Sequence, residues 1–425
     1  MSKSTSPLAR IFAFFCSFGL ATVLLACLLI ITFLGTLEQV EHGLLESQKK
    51  YFESWYISSI DLGACLRAMS VPVKEMNLPL IFPGGLLLMT VLTVSLICGG
   101  LVRIRKSPRT IGVIIAHFSI IFMLIAGGVE YLYKKEGNLA LTEGKAPDGF
   151  PWNTSDEFQS YHKRVIEIEQ VNTSDKDAKR SVLVIHDDLF RDLTPDKSSG
   201  KARTFTSPAL PFELTVANYA ENCEPQRADG TESREAVDGY FLQPKPYETT
   251  AEKNIDGIYV TVKDKAGAEQ KGILWGMQRA PWTVHVDGKT FAIDLTRQRW
   301  RLPFVVKLDK FEREVHPGTQ RASKFTSQVT KIAGGHQEKK VITMNEPLRD
   351  SGYVLFQASF SMDKEGPAQV KQSIFAVVQN PSDQWPLYSC IAVAIGLLIH
   401  FISMLARFLS RTQSGPGKRL ATPLS

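Results

Sequence analysis

Apolar residues gather in four long runs, and over much of the remaining chain they alternate with polar ones. The runs are Ile11 to Leu34, Leu78 to Val102, Ile111 to Tyr133 and Trp385 to Leu409. Each has the roughly 20 residues that an apolar helix needs to cross a bilayer. The second, third and fourth hold no acid or base apart from histidine until their ends. The first exceeds the roughly 7–15 residues of a signal-peptide core and is read as an uncleaved anchor. The chain therefore divides into a tail and first span (1–34), a loop (35–77), a hairpin of spans two and three (78–133), a large segment (134–384), a fourth span (385–409) and a second tail (410–425).

Inside 134–384 the pattern changes to short alternating runs: 165–171, 182–185, 212–216, 258–262, 282–286, 304–308, 353–360 and 374–378. Turn signals separate them at Asp229-Gly230, Asp256-Gly257, Asp287-Gly288 and Pro317-Gly318. Long helical periodicity is missing, so the segment is predicted to be all-β, a sandwich or barrel-like sheet pair. The polar stretch 221–256 is expected to loop out. In 35–77, Leu37, Val40, Leu44, Leu45, Tyr51, Phe52 and Trp55 stand at broadly helical spacing. A short helix near the membrane surface is expected there, with Tyr51, Trp55 and Tyr56 suited to the interface. The fold class is an integral membrane protein with four transmembrane helices and a large all-β extracytoplasmic domain.

Charge orients this layout. The net charge is +6. Ten bases and no acids lie in the two tails and the turn between spans two and three: Lys3, Arg10, Arg103, Arg105, Lys106, Arg109, Arg407, Arg411, Lys418 and Arg419. Basic short loops stay in the cytoplasm. Both termini are thus placed in the cytoplasm, with 35–77 and 134–384 outside. The positive charge reports topology, and no nucleic-acid partner is needed to explain it.

His117 is the one ionisable side chain between Gly112 and Val129. A titratable group inside a span is costly to keep and is read first as functional. Imidazole ligates haem iron or another metal, or relays protons; a hydrogen bond to a neighbouring helix is the competing reading. His400 lies in span four. Counted inward from Arg109 and Arg407, His117 sits about 12 Å deep and His400 about 10 Å. The two are expected at similar depth, as a pair on one haem iron, as neighbours in one cavity, or facing different partners. His42, on the 35–77 helix, is expected to be a surface histidine. The histidines of the large segment, His162, His186, His285, His316 and His336, show no metal-ligand spacing. There is no GxSxG, HExxH or phosphate loop. Of six cysteines, only Cys65 and Cys223 fall outside the spans, as one conceivable disulfide; CxxC and CxxCH are absent, so the chain is neither a c-type cytochrome nor a thioredoxin-like reductant.

Three stretches carry a resemblance. GTLEQVEHGLLESQKKYFESW after span one, LPFVVKLDKFEREVHPGTQRASKFTSQV at 302–329 and NEPLRDSGYVLFQASF at 345–360 resemble the ResB (CcsB) family of cytochrome c biogenesis proteins. In the last, Leu355 and Ala358 stand where the family often has Tyr and Ser. Three spans, an outer β domain and a final span also match. The resemblance implies a bacterial inner-membrane subunit of the System II cytochrome c synthase, paired with a ResC (CcsA)-type membrane protein. It implies haem b as a transient substrate, moved across the membrane and attached to CxxCH of apocytochrome c. It makes the chain a non-catalytic or co-catalytic subunit of a haem lyase, served indirectly by thiol-reducing thioredoxin-like proteins. His117 corresponds to the histidine of the family's third span, an axial ligand of haem iron, with the other ligand expected from the partner; His400 stays a candidate on the depth argument. The partner's WGxWxWD loop is absent here. The alternatives are a membrane-anchored ligand-binding or sensor protein, or an assembly scaffold that binds no haem.

Overall fold

A glycine beyond the C-terminal end of the first apolar run decides how the chain folds there. The computed structural model describes residues 6–144, 152–171, 182–195, 202–228, 236–319, 321–363 and 370–413. Helix α1 (Pro7–Phe15) is capped by Ser6 and stops at Cys16, and α2 (Phe18–Tyr51) follows. The exposed Phe15 and Cys16 carbonyls accept from Ser95 Oγ (2.9 Å) and Arg103 (3.2 Å). That supplies the partners that the carbonyls of a helix C-terminus lack. Arg103 thus has a structural task beside its topological one.

Within α2, Gly43 takes φ 80°, ψ 164°, outside the helical region and open to a residue without Cβ. A straight helix would put Gly35 and Tyr51 about 24 Å apart. Instead a Cβ on Gly35 would stand 3.4 Å from the Tyr51 ring. The chain therefore reverses at Gly43, and 44–51 folds back along the end of the first span. The separate surface helix expected in 35–77 is this returning arm. Tyr51 is not an interface residue; it is fully buried, packed with Ile31, Ile57, Leu88 and Leu92. Strands β1 (Tyr56–Ile57), β2 (Ile60–Asp61), β3 (Asn77–Leu78) and β4 (Phe82–Pro83) form two small antiparallel pairs around α3 (Leu62–Ala68).

Helix α4 (Gly85–Ser95) runs into a π-helical turn, Leu96–Val102, that carries Gly99-Gly100. After the basic turn come α5 (Ile111–Tyr133) and, at the far end of the sequence, α6 (Trp385–Gln413). α5 and α6 pack antiparallel and close. A Cβ on Gly112 would stand 2.5 Å from the Gly396 carbonyl, and one on Gly396 2.9 Å from the Ala116 nitrogen. Farther along, Ser382 Oγ donates to the Ala126 carbonyl (2.9 Å) and Phe122 stacks on Trp385 at 5.2 Å. Small residues that let backbones approach are the usual basis of helix association in lipid. Among the described residues four helices are long and apolar enough to cross a membrane, and the protein is an integral membrane protein with a sheet-rich domain.

The second unit, Lys135–Gln379, is that domain. Its strands are β5 (Lys135–Thr142), β6 (Thr154–Val171), β7 (Val182–His186), β8 (Arg203–Phe205), β9 (Phe212–Ala220), β10 (Cys223–Arg227) and β11 (Tyr240–Pro244). They continue with β12 (Gly257–Asp264), β13 (Glu269–Trp275), β14 (Trp282–Val286), β15 (Lys289–Val315), β16 (Ala322–Ala333) and β17 (His336–Thr343). β18 (Leu348–Asp350), β19 (Tyr353–Asp363) and β20 (Val370–Gln379) complete the set. One sheet runs β17-β16-β15-β6-β5-β20-β19-β18, with β14 on β15 and β7 on β6; a second runs β13-β12-β9-β8.

Two long strands, β6 and β15, serve two hydrophobic cores. Their pairing shifts register between Arg297 and Arg299 and again between Arg301 and Val306. Such irregularities bend a ladder and re-aim its side chains. One core, with Ile166, Ile168, Leu214, Val260 and Ile293, ends at Leu295; the other, with Phe158, Val306, Phe311, Leu355 and Phe375, starts on β15 at Leu302. All eight alternating runs read from the sequence fall in strands. Asp287-Gly288 forms a two-residue hairpin turn with φ 51° and 69°, the geometry that matches strand twist. Asp256-Gly257 is not a turn: Asp256 is buried, and Gly257 begins β12 where a Cβ would meet Cys223 Sγ. The stretch 221–256 does not simply loop out, since β10 and β11 pair across it. Asp229-Gly230 lies outside the described residues.

Candidate functional site

His117 sits where the third span meets the π-helical end of the second. Its Nδ1 lies 2.8 Å from the Val113 carbonyl one turn earlier. A carbonyl only accepts, so Nδ1 carries the proton. In the neutral ring Nε2 is then left with a lone pair. This is the usual way in which a ligating histidine is oriented, with one ring nitrogen tied to a carbonyl and the other free for a metal. The ring lies against Gly100, where an added Cβ would come 2.6 Å from Cδ2. A side chain at 100 would push the imidazole away. Gly100 is a positioning residue that sequence reasoning missed. The signal was the Gly99-Gly100 pair near the end of the second apolar run, which the structure folds into a π-helical turn, a feature frequent at functional sites.

His400 lies elsewhere in the bundle. Its backbone nitrogen would stand 2.7 Å from a Cβ on Gly112, so it is level with Gly112. Gly112 and His117 are five residues apart, about 7.5 Å along α5. The equal depth inferred from the arginine ends is therefore offset by more than a helical turn. The reason is that Arg407 lies within a helix that continues to Gln413, whereas Arg109 lies in a turn before α5, so the two arginines do not mark the same level. The His400 ring lies edge-on to Phe401, and its Nδ1 is buried without a hydrogen-bond partner. Among the described residues, no hydrogen bond or ring contact joins the two imidazoles.

His42 is half-exposed but not alone. Its Nε2 is 3.1 Å from Asp61 Oδ2 and 4.0 Å from Glu38 Oε1. Burial raises the Asp61 carboxyl, but the Ala64 amide and His42 outweigh it and hold the group below its ordinary range. In the β unit, a cleft of about 1130 Å³ is flanked by Asp187, Asp188, Arg191, Glu221, Lys245 and Tyr259. It mixes both charges with aromatic faces. None of the histidines of that unit lines it.

Cys65 and Cys223 lie in different units, and both are free thiols. Burial pushes the Cys65 thiol up and the Cys223 thiol up to about 12. Thiolate is the reactive form, so both should be inert in the folded chain. Alkylation by maleimide at pH 8 is expected to spare both. After unfolding without reductant both should label, which a disulfide between them would prevent.

Residues 272–373 match the profile of the ResB-like family. Over 109 residues the chain is 29% identical to Protein NrfI of Wolinella succinogenes. That match covers 25% of this chain and 11% of NrfI, so the chain spans only a small part of that relative. The family match lies wholly in the β unit, from β13 into β20, and His117 lies outside it.

Proposed function

We propose that the chain, whose residues 272–373 match the ResB-like family, serves in cytochrome c biogenesis as a haem-handling subunit of a System II synthase in the bacterial inner membrane. His117 ligates the haem iron within the membrane and the second axial ligand comes from a ResC/CcsA-type partner. The observation that carries this reading is the 2.8 Å contact of His117 Nδ1 with the Val113 carbonyl, with the ring seated on Gly100. The substrate is haem b. The span interface suits its apolar ring, and the bases Arg105, Lys106 and Arg109 suit its propionates. Both tails and this basic turn face the cytoplasm, and the β unit lies outside.

The β unit docks apocytochrome c or braces the partner. Its mixed acidic, basic and aromatic cleft suits a peptide segment better than haem, since no histidine lines it. The chain contributes no reductant for the haem or the apocytochrome thiols. A separate thioredoxin-like protein supplies that step.

The test is the absorption spectrum of the detergent-purified chain, expressed with a ResC/CcsA-type partner under haem-replete conditions. A Soret band that copurifies with the pair is the expected result. Haem-free protein from such cells, combined with normal c-type cytochrome content after deletion of this chain, would overturn the reading in favour of a scaffold.

A further inference from the structure

Beside the reversal at Gly43, Asp61 meets two metal-ligating side chains of α2, Glu38 and His42. Glu38 and His42 stand one turn apart on the outgoing arm of α2, next to the reversal. Asp61 comes from the residue that caps α3. Its Oδ1 accepts from the Ala64 amide (2.9 Å), which fixes the carboxylate and turns Oδ2 onto His42. A paired contact from Arg67 on α3 to both oxygens of Glu41 on α2, each at 2.6 Å, fastens the two helices beside the cluster.

One atom from each of Glu38, His42 and Asp61 can be chosen so that all lie within 4.8 Å of one another. The His42 separations, 3.1 and 4.0 Å, bracket the roughly 3.4 Å between ligands that a tetrahedral ion with bonds near 2.1 Å requires. The cluster also holds a deeply buried carboxylate. Glu38 is 1% exposed, and its Oε2 is buried without a hydrogen-bond partner. Burying a carboxylate is costly unless its oxygens are paired. Lys50, brought back by the reversal, pairs with Oε1, and the buried Tyr51 hydroxyl lies beside the same carboxylate.

We propose that Glu38, His42 and Asp61 form a binding site for a divalent first-row cation of the zinc type. One imidazole with two carboxylates is a donor set such ions accept, and half-exposed His42 leaves room for water in the remaining position. The ion takes the place of the proton shared between His42 Nε2 and Asp61 Oδ2. That proton moves to Nδ1 or to solvent, and the Glu38 carboxylate joins through Oε1, the oxygen 4.0 Å from His42 Nε2. The ion would pin the apex of the reversal to the start of α3. The inference does not rest on the haem reading, since none of its residues touches His117.

The test uses the full chain in detergent, free of haem and of any polyhistidine tag, titrated with Co²⁺ and Zn²⁺. One equivalent of Co²⁺ should give visible d–d bands that Zn²⁺ abolishes. His42→Ala and Glu38→Gln should each weaken Zn²⁺ binding by at least about tenfold, the lower end of what even an outer-shell change costs. Asp61→Asn should do the same while keeping the α3 cap, so its loss cannot be ascribed to misfolding. Lys50→Met removes the competing cation and should tighten binding. His117→Ala should leave the titration unchanged. Absence of saturable binding, or equal affinity in His42→Ala and Asp61→Asn, would overturn the proposal whatever the haem spectrum shows.

Discussion

Replacing His117 with alanine should remove most of the Soret absorbance that copurifies with the chain and its partner, while the protein still inserts in the membrane. The side chain is half-buried, and its one hydrogen bond is to the Val113 carbonyl of its own helix. Its loss therefore breaks no hydrogen bond between helices. The helix itself gains from alanine, the best helix former. A structural role predicts little change in haem content. A ligand role predicts its loss, because the iron would keep only the partner's bond. Gly100→Val should mimic the loss with His117 intact, since the new Cβ would need the space of the ring at 2.6 Å. His117→Gly supplied with free imidazole should regain the Soret band, which a packing defect would not. His400→Ala should retain haem, because His400 is level with Gly112 and makes no contact with the His117 ring. Wild-type haem content in His117→Ala would refute the assignment.

The sequence carried much of this architecture but not its joints. Spans two to four are legible because a long run without charge has few alternatives in water. The eight strand cores are legible because half-buried strands alternate. What stayed hidden depends on contacts distant in the chain. The break at Cys16 has no proline or glycine to mark it and is held by Ser95 and Arg103, some eighty residues away. Gly43 stands in LEQVEHGLLES, where a single glycine does not distinguish a tolerated helix residue from a reversal. β15 reads as a single short run, 304–308, because Arg297–Arg301 is mostly polar at the register shifts, although the strand is continuous over Lys289–Val315. β17 escaped because His336–Lys340 is exposed and charged on both faces. His117 was visible from composition alone. Its partner Gly100 was not, since the value of a glycine lies in what approaches it.

The junction between the two β cores yields the second large effect. Arg164 on β6 is 8% exposed and Asp256 2%. Arg164 Nε lies 3.1 Å from Asp256 Oδ1, and its Nη2 donates to the Asn254 carbonyl at 3.2 Å. Burial pushes the Asp256 carboxyl above the usual carboxylate range, and the Arg164 guanidinium pulls it back. Removing one partner of a buried pair leaves an uncompensated charge and costs about 3–5 kcal/mol. Arg164→Met is therefore expected to lower the stability of the β unit by that amount. Amides of β12 that exchange by global opening should then exchange roughly a hundredfold to a few thousandfold faster in intact protein. The pH dependence has a definite sign. A carboxyl whose folded pKa lies above its unfolded value binds protons more tightly in the folded state. The penalty is then greatest above the folded pKa and shrinks as pH falls through it, where Asp256 becomes neutral. Adding Asp256→Leu removes the stranded charge and should restore most of the loss, as apolar replacements of buried pairs do. A double variant as labile as Arg164→Met would mean that the guanidinium matters for the Asn254 carbonyl and for packing, and not for the charge of Asp256.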